Sequence, residues 1–289
     1  LRNIFLLDGK PTLFDAIEFD RDFATIDTLY DLSFLLMDLE HRGLRRLANI
    51  AFNRYMDVTG DVGGLAALPL FLSMRAAIRS HVAAASPSGA PDAEGRRSAA
   101  AYLDQALRYL APVEPRLIAV GGLSGSGKSR LAREMAPFIG AAPGALAVRS
   151  DAVRKRLAGV PLLSRLGAEG YSREMSKRTY AALFEDAAAA LQAGHSAIAD
   201  GVFADPGQRA EIAAVAAAAA IPFQGIWVAA PLEVRERRVS SRKRNVSDAT
   251  AEIARRQLDY DIGEMEWPSI DSSGRRDDTL ATGLHLLGL

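Results

Sequence analysis

The sequence comprises 289 residues, of which 49% are hydrophobic and 24% charged, the composition of an ordinary globular protein with one large or two modest domains. Its 35 basic residues balance its 35 acidic ones, so the chain has no overall attraction to nucleic acid or to an anionic membrane, and neither is expected as a partner. It contains no cysteine, which excludes disulfides, thiolate metal sites and cysteine nucleophiles and fits a cytoplasmic location.

The apolar runs of the sequence are short. The longest, residues 213–221, is almost all alanine and predicts a helix, so no membrane-spanning segment is expected. The chain opens within an apolar segment, residues 1–5, without a methionine or a signal-peptide pattern. From this opening we expect the sequence to be part of a longer protein.

The N-terminal part predicts a hairpin followed by helices. Apolar runs at 4–7 and 12–14 flank the turn residues 8–11, Asp-Gly-Lys-Pro, a pattern typical of a β-hairpin. From residue 25 to 85 the apolar positions recur at helical spacing and are interrupted by glycines and a proline. This stretch predicts three or four helices.

A loop rich in serine, proline and glycine, residues 86–92, interrupts the helical pattern. It divides the chain into a mostly helical segment, 1–88, and a linker with a connecting helix, 89–115. The connecting helix itself is predicted over 98–110, before two prolines. The remaining residues, 116–289, form a domain of different rhythm.

Short apolar strands alternate with helices in this second domain. Strands are predicted at 117–120, 145–148, 196–199 and 225–229. Helices are predicted between them at 129–138, 151–157, 173–193 and 208–220. Such alternation predicts an α/β fold in which a parallel sheet is covered on both faces.

A glycine-rich motif directly follows the first of these strands. It matches the pattern G-x-x-x-x-G-K-[ST] without a mismatch through Gly122, Leu123, Ser124, Gly125, Ser126, Gly127, Lys128 and Ser129. Its backbone amides and the following helix N-terminus, with Arg130, can bind the phosphates of a nucleoside triphosphate. Lys128 can reach the β- and γ-phosphates, and the Ser129 hydroxyl can bind Mg²⁺. The strand before the loop and the helix after it argue against a chance glycine-rich turn.

This loop resembles that of the gluconate kinase, adenylylsulfate kinase and zeta-toxin group of P-loop kinases, and the resemblance covers the chain from Arg116 onward. It implies a P-loop kinase domain that uses ATP and Mg²⁺ and phosphorylates a hydroxyl group of a small molecule. The sequence does not identify that acceptor. Two other functions stay open: a P-loop ATPase or nucleotide-dependent switch without an acceptor, and a zeta-toxin-like kinase of a nucleotide sugar.

Asp151 and Arg154 follow the second strand of the domain. In the kinases that this chain resembles, an Asp at this strand end contacts the acceptor hydroxyl and an Arg three residues later binds the substrate. The resemblance therefore implies that Asp151 is the general base and Arg154 a substrate ligand, and a carboxylate near the γ-phosphate can fill the first role. As the alternative, Ser150 or Asp151 only caps the following helix.

Asp200 ends the third apolar strand. Because ligands of open parallel sheets lie at the carboxyl ends of the strands, we expect Asp200 beside the phosphates, where it holds Mg²⁺ or orients the substrate. Arg209 matches a helix-start arginine of the resembling kinases, which implies a substrate contact. A lone surface arginine is its alternative.

Basic residues crowd the segment 235–244 after the last predicted strand. A solvated helix face is the usual meaning of such a run. In kinases with this layout, however, the segment is a mobile lid whose arginines cover the triphosphate and exclude water. Among these arginines, Arg238 and Arg242 lie four residues apart and are expected on one helix face, Arg238 as a nucleotide ligand and Arg242 as a catalytic residue.

The helical segment carries a second resemblance. Asn3, Glu18, Asp27 and Asp31 are similar in placement to the end of the catalytic loop, the metal-binding acid and two later acids of aminoglycoside phosphotransferases. Two departures weaken this match: the catalytic Asp and the nucleotide-binding lobe are absent from this chain, and Glu replaces Asp at the metal position. We expect an incomplete lobe that packs on the P-loop domain, as in proteins that fuse a phosphotransferase to an ATP-binding kinase.

Overall fold

A computed structural model describes residues 4–14, 25–85, 92–241 and 246–289. The N-terminal hairpin is present as predicted, with β1 (Ile4–Leu7) antiparallel to β2 (Lys10–Leu13). Asp8 and Gly9 between them have φ values of 51° and 73°, the left-handed backbone that a two-residue hairpin turn requires.

Within the described residues, the helical segment contains three α-helices, in agreement with the sequence pattern, and the linker that follows contains a fourth. They are α1 (Thr28–His41), α2 (Arg45–Thr59), α3 (Leu68–Ala84) and α4 (Ala93–Leu110), with a short 3₁₀ helix at Val62–Ala67. The Asp27 carboxylate caps α1 by accepting hydrogen bonds from the amides of Leu29 and Tyr30 at 2.7 and 3.2 Å. The connecting helix α4 begins five residues earlier than predicted because Asp92 caps it.

One stretch of this segment qualifies the expectation that no segment is long and apolar enough to cross a membrane. Among the described residues, Val62–Ala84 has the length and the hydropathy of a span, with a third of its most apolar window buried in the fold. The glycines and the proline in this stretch were expected to separate helices, but the apolar helical run that contains them is still long enough to span a membrane. Because core helices of soluble proteins pass the same test, the finding is weak evidence for a membrane.

The chain divides into two compact units. The first comprises residues 1–48 and 67–112, and the second comprises 49–66 and 113–289. In the first unit, α1, α3 and α4 pack through aromatic and cation–π contacts, such as Arg75 lying 3.8 Å above the Tyr30 ring. Most of α2, which the sequence groups with the other N-terminal helices, belongs to the second unit.

The second unit is built on a five-stranded, fully parallel sheet, which confirms the predicted fold class. Its strand order is β4–β5–β3–β6–β7, and its strands are β3 (Leu117–Gly121), β4 (Leu146–Arg149), β5 (Ala197–Asp200), β6 (Phe223–Ala229) and β7 (Ser269–Asp271). The last of these strands was not predicted. The register aligns Asp200 of β5 with Val120 of β3 on one side and with Arg149 of β4 on the other. The carboxyl ends of these three strands therefore lie at the same edge of the sheet.

Helices connect and cover these strands. They are α5 (Lys128–Met135), α6 (Ser150–Leu157), α7 (Arg173–Gln192), α8 (Pro206–Ala218), α9 (Leu232–Ser240), α10 (Ala251–Arg256) and α11 (Arg276–Leu286). A core of aliphatic residues from β3, β5, β6, β7 and α5 lies below the phosphate loop, with leucines of α11 packed against it. Burial of this apolar surface stabilises the sheet edge from which the loop emerges.

Candidate active site

The phosphate loop follows β3, the middle strand of the sheet. Gly122, Gly125 and Gly127 have φ values of 145°, 86° and 98°, which side chains rarely adopt. A Cβ atom at Gly122 would also collide with the carbonyl oxygen of Val228. Gly127 is the N-cap of α5 and no side chain caps that helix within the described residues, so its first amides can meet an anion.

Ser124 in the loop is held from two sides. Its amide donates to Oε1 of Gln257 at 2.6 Å, and its carbonyl oxygen accepts from Nε of Arg235 at 2.9 Å. Arg235 also donates to the carbonyl oxygen of Ala254 at 2.9 Å, and burial lowers the pKa of its guanidinium. Sequence reasoning missed both supporting residues, because their partners are backbone groups far away in the chain.

Arg238 lies beside the same loop. Its Nη1 donates to the carbonyl oxygen of Ser126 at 3.2 Å and to Oγ of Ser272 at 3.0 Å. The predicted lid arginine therefore supports the loop through contacts with its backbone. Arg242, the other predicted lid residue, lies outside the described residues.

The structure brings Ser129 and Asp200 together, as their positions at the carboxyl edge of the sheet predict. The Ser129 hydroxyl donates to Oδ1 of Asp200 at 3.0 Å. Asp200 is buried, and burial raises the pKa of its carboxyl although the cations of Lys128 and Arg149 act in the opposite direction. The pair provides two oxygen donors directly beside the phosphate loop.

Arg149, which the sequence reasoning did not select, ends β4 and faces two carboxylates. Its Nη1 donates to Oδ2 of Asp57 at 2.9 Å, while its Nε lies 3.8 Å from Oδ2 of Asp200. Burial raises the pKa of Asp57, although Arg149 lowers it. The Asp200 carboxylate and the guanidinium are buried and the Asp57 side chain is 9% exposed, so this row of charges is screened little by water.

Asp151 begins the helix that follows β4. Arg149 is the N-cap of α6 and no side chain of the described residues caps this helix, so neither Ser150 nor Asp151 acts as its cap. The half-buried Asp151 carboxylate makes no hydrogen bond within the described part of the chain. It lies close enough to Asp200 and Arg149 to influence the pKa of each.

Arg154 lies on the same helix and is buried. Its Nη1 donates to the carbonyl oxygen of Gly170 at 2.9 Å and lies 3.4 Å from Oγ of Ser176. Its guanidinium carbon lies 5.0 Å from the centre of the Tyr171 ring. Its Nε is buried without a hydrogen-bond partner in the described residues.

A second buried ion pair, which the sequence did not predict, joins the segment after the basic run to helix α6. Lys155 Nζ lies 3.1 Å from Oδ1 of Asp248. Oδ2 of Asp248 accepts from the amide of Leu166 at 3.0 Å and from the Tyr171 hydroxyl at 2.8 Å. Asp248 thus fixes the residues near 166–171 beside Arg154.

The structure corrects the prediction for Arg209. The side chain is buried, and its guanidinium donates to the carbonyl oxygens of Phe203, Ala204, Ile262 and Glu264 at 2.8–3.0 Å. These four bonds join the loop after β5 to the segment before β7. These contacts give Arg209 a structural role.

A cavity of about 330 Å³ opens beside the phosphate loop. Its basic lining comprises Arg130, Arg133, Arg238 and Arg276. Gly125, Gly127, Lys128 and Ser129 line it from the loop, whereas Asp151 is not among its lining residues. Its positive charge and its position suit a polyphosphate.

A family model described as an AAA domain, AAA_33, matches residues 117–261. The match covers half of the chain and includes β3, the phosphate loop, Asp151 and Asp200. The chain belongs to the AAA_33 family. Because the matched residues contain the phosphate loop, the AAA_33 domain is a P-loop nucleotide-binding domain. The family model does not match the helical segment before residue 117.

Relatives and solved structures extend this comparison. Uncharacterized proteins of Mycobacterium tuberculosis and Mycobacterium bovis are 33% identical over 298 residues, covering 98% of this chain. The chain spans 57% of the length of these relatives. The helical segment thus has relatives too, but they establish no likeness to aminoglycoside phosphotransferases. Of the residues that suggested it, Asn3 and Glu18 lie outside the described residues.

Several solved kinase structures are similar to a part of this chain. A sugar kinase from Janibacter has a TM-score of 0.44 at 21% identity over 60% of this chain and 95% of its own. A gluconokinase from Sinorhizobium meliloti gives 0.44 at 20%, over 60% and 92%. The Mycobacterium tuberculosis APS kinase in complex with AMPPNP and APS gives 0.45 at 20%, over 61% and 99%. Likenesses of this size concern the fold and carry no argument about the reaction.

Proposed function

We propose that this chain is an ATP-dependent kinase that transfers the γ-phosphoryl group to a hydroxyl of a small molecule. The observation that carries the proposal is the Asp151 carboxylate. It stands at the carboxyl edge of the sheet, near Asp200 and the phosphate loop, and it makes no hydrogen bond within the described residues. A carboxylate left without such a partner beside a phosphate site suits a group that accepts a proton from a ligand.

Magnesium is the metal that this proposal includes. The Ser129 hydroxyl and the Asp200 carboxylate lie 3.0 Å apart and are hard oxygen donors, which Mg²⁺ accepts together with phosphate oxygens and water. The residues therefore fit the ion, with Ser129 as a direct ligand and Asp200 as a direct or water-mediated one. When bound, Mg²⁺ would neutralise charge on the β- and γ-phosphates.

Each residue of the site has a separate role in the proposed reaction. The loop amides and Lys128 hold the triphosphate, and Lys128 stabilises negative charge that develops on the transferred group. Asp151 orients the acceptor hydroxyl and accepts its proton, while Arg154 on the same helix binds the acceptor. Arg242 is proposed to close over the phosphates and exclude water, so that transfer to the acceptor outcompetes hydrolysis.

The first prediction concerns Asp151→Asn, which keeps the shape of the side chain and removes its basicity. We expect ATP turnover that depends on an added hydroxylated metabolite, and a loss of about 10²–10⁴-fold in that turnover in the variant. Nucleotide affinity should change little. The measurement is ADP release with pools of sugars, sugar acids, aminoglycosides and nucleotide sugars.

The exposed Asp104→Asn of α4 is the matched control and should behave as the wild type. Hydrolysis that is independent of every acceptor and unaffected by Asp151→Asn would contradict the kinase and favour an ATPase or a nucleotide-dependent switch. Turnover with nucleotide sugars alone would favour a kinase similar to the zeta toxins.

A further inference from the structure

Helix α2 carries a stripe of polar side chains into the P-loop unit. Asn49, Asn53 and Asp57 are spaced four residues apart, so they lie on one face of the helix. The side chains of Asn53 and Asp57 make polar contacts with β4, an edge strand of the sheet, and Asn49 contacts Ala145 directly before it. The stripe is thus the face by which this N-terminal helix joins the fold of the P-loop unit.

The side-chain amides of Asn49 and Asn53 form hydrogen bonds at the free edge of β4, where no further strand of the described residues pairs with it. Oδ1 of Asn53 accepts from the amide of Ala147 at 2.7 Å, and its Nδ2 donates to the carbonyl oxygen of Ala145 at 3.2 Å. Nδ2 of Asn49 donates to the same carbonyl oxygen at 3.2 Å. Because these bonds satisfy successive backbone groups of an edge strand, they set the position of α2 along β4.

This position places Asp57 at the carboxyl end of β4, next to the phosphate site. Its Oδ2 accepts from Nη1 of Arg149 at 2.9 Å, whereas the closest guanidinium nitrogen to Asp200, Nε, stays 3.8 Å away. That Nε has no hydrogen-bond partner among the described residues. Two carboxylates thus share one guanidinium, and Asp57 holds it by the shorter contact.

We propose that Asp57 is a positioning residue that holds the Arg149 guanidinium off Asp200 and so leaves the Asp200 carboxylate available to a divalent cation. This inference rests on the proposed role of Asp200 beside the nucleotide. Without the charge of Asp57, Arg149 would close the 3.8 Å gap and pair fully with Asp200 in surroundings of low dielectric constant. A cation would then compete with a guanidinium for the same carboxylate.

The test measures binding of a fluorescent ATP analogue to the whole chain, without metal and across a Mg²⁺ titration. For Asp57→Asn we expect metal-free affinity within about twofold of the wild type. The Mg²⁺ midpoint should rise by about fivefold or more, the size that one unit charge at 4 Å produces even in water. The double variant Asp57→Asn/Arg149→Gln removes the competitor and should return the midpoint to within about twofold of the wild type.

Asp186→Asn is the matched control, because Asp186 forms an ion pair with Arg156 in the same unit. It should leave the Mg²⁺ midpoint unchanged. A wild-type midpoint in Asp57→Asn would overturn the inference, as would a folded double variant that fails to restore it. If the wild type itself binds the nucleotide without any response to Mg²⁺, the proposed metal role of Asp200 fails, and the inference fails with it.

If Asp57→Asn does not fold, Arg149→Lys provides the test. A lysine has one ammonium group that pairs with a single carboxylate at a time, and Asp57 is the nearer one. We therefore expect a Mg²⁺ midpoint no higher than that of the wild type. A rise of about fivefold or more would show that the guanidinium assists the cation, which would overturn the inference.

Discussion

Gly125 lies where the phosphate loop passes against helix α9. Its φ is 86°, and a Cβ atom there would lie 2.6 Å from the carbonyl oxygen and 2.8 Å from the Cα of Arg235. Both obstacles are backbone atoms, which cannot rotate away. Gly125 occupies a variable position of the motif, but this fold requires glycine there for the space as well as for the conformation.

Gly125→Ala is therefore expected to displace the loop. We predict a loss of nucleotide affinity of about tenfold or more and a destabilisation of about 2–4 kcal/mol, the sum of a strained φ and a backbone clash. Fluorescent-nucleotide binding and urea denaturation measure the two effects.

Gly194→Ala is a control that introduces a strained φ without a steric clash. Gly194 has a φ of 74°, but nothing lies within 4 Å of a Cβ built there, so only a cost of about 1–2 kcal/mol is expected, with unchanged nucleotide affinity. Equal effects of the two substitutions would show that the contact with Arg235 does not matter.

Arginines show how little a residue type reveals about its partners. Sequence reasoning selected Arg209 for the substrate, yet its donors meet four backbone carbonyl oxygens. It left out Arg149, which lies between Asp57 and Asp200. A guanidinium binds any oxygen that the fold brings near, and no local pattern in the sequence announces a carbonyl oxygen from a distant segment.

At the scale of elements, α2 covers the edge of the sheet. An edge strand exposes unpaired amides and carbonyl groups, which can pair with another chain. Here the side-chain amide of Asn53 pairs with both Ala145 and Ala147. The helix therefore contributes to the stability of the sheet through hydrogen bonds as well as through apolar burial.

Asn53→Ala should leave the amide of Ala147 in β4 without its partner, whereas the carbonyl oxygen of Ala145 keeps its bond from Asn49. We expect the free energy of unfolding to fall by about 1–3 kcal/mol, the cost of one unsatisfied buried group, together with greater aggregation at the open edge. Val58→Ala, an exposed position on the same helix, should cost less than about 0.5 kcal/mol. A similar small loss at Asn53 in thermal and urea unfolding would contradict the role of its amide.

At the scale of the whole molecule, both tryptophans belong to the P-loop unit. Trp227 lies in β6, and Trp267 packs against Phe203 and Phe223 before β7. The chain has no other tryptophan. Tryptophan fluorescence therefore reports on the unfolding of this unit, whereas far-ultraviolet circular dichroism reports on the helices of both units.

Bound nucleotide should stabilise the transition that the tryptophans report. At 100 times the dissociation constant, Mg²⁺-ATP should add about 2.7 kcal/mol to the free energy of unfolding, since it binds the folded state alone. Lys128→Ala, which removes a phosphate contact, should abolish most of this shift. A shift of wild-type size in Lys128→Ala would mean that the nucleotide binds elsewhere.

The elements that depend on near neighbours could be predicted from the amino-acid sequence. Asp8-Gly9 between two apolar runs predicted the hairpin, alternating strands and helices predicted the parallel sheet, and the glycine pattern predicted the phosphate loop. Strand β7 was not predicted because it has three residues, of which only Ile270 is buried. A strand of this length is too short to show alternation.

Which charged and polar side chains meet depends on the packing of segments that are distant in the chain. Asp57 and Arg149 are 92 positions apart, and their pairing depends on where α2 lies along β4. Arg235 and Gln257 reach Ser124 across 111 and 133 positions. Local periodicity reflects neighbours within about four residues along the chain, whereas the partner of a buried charge depends on the segments that packing brings beside it.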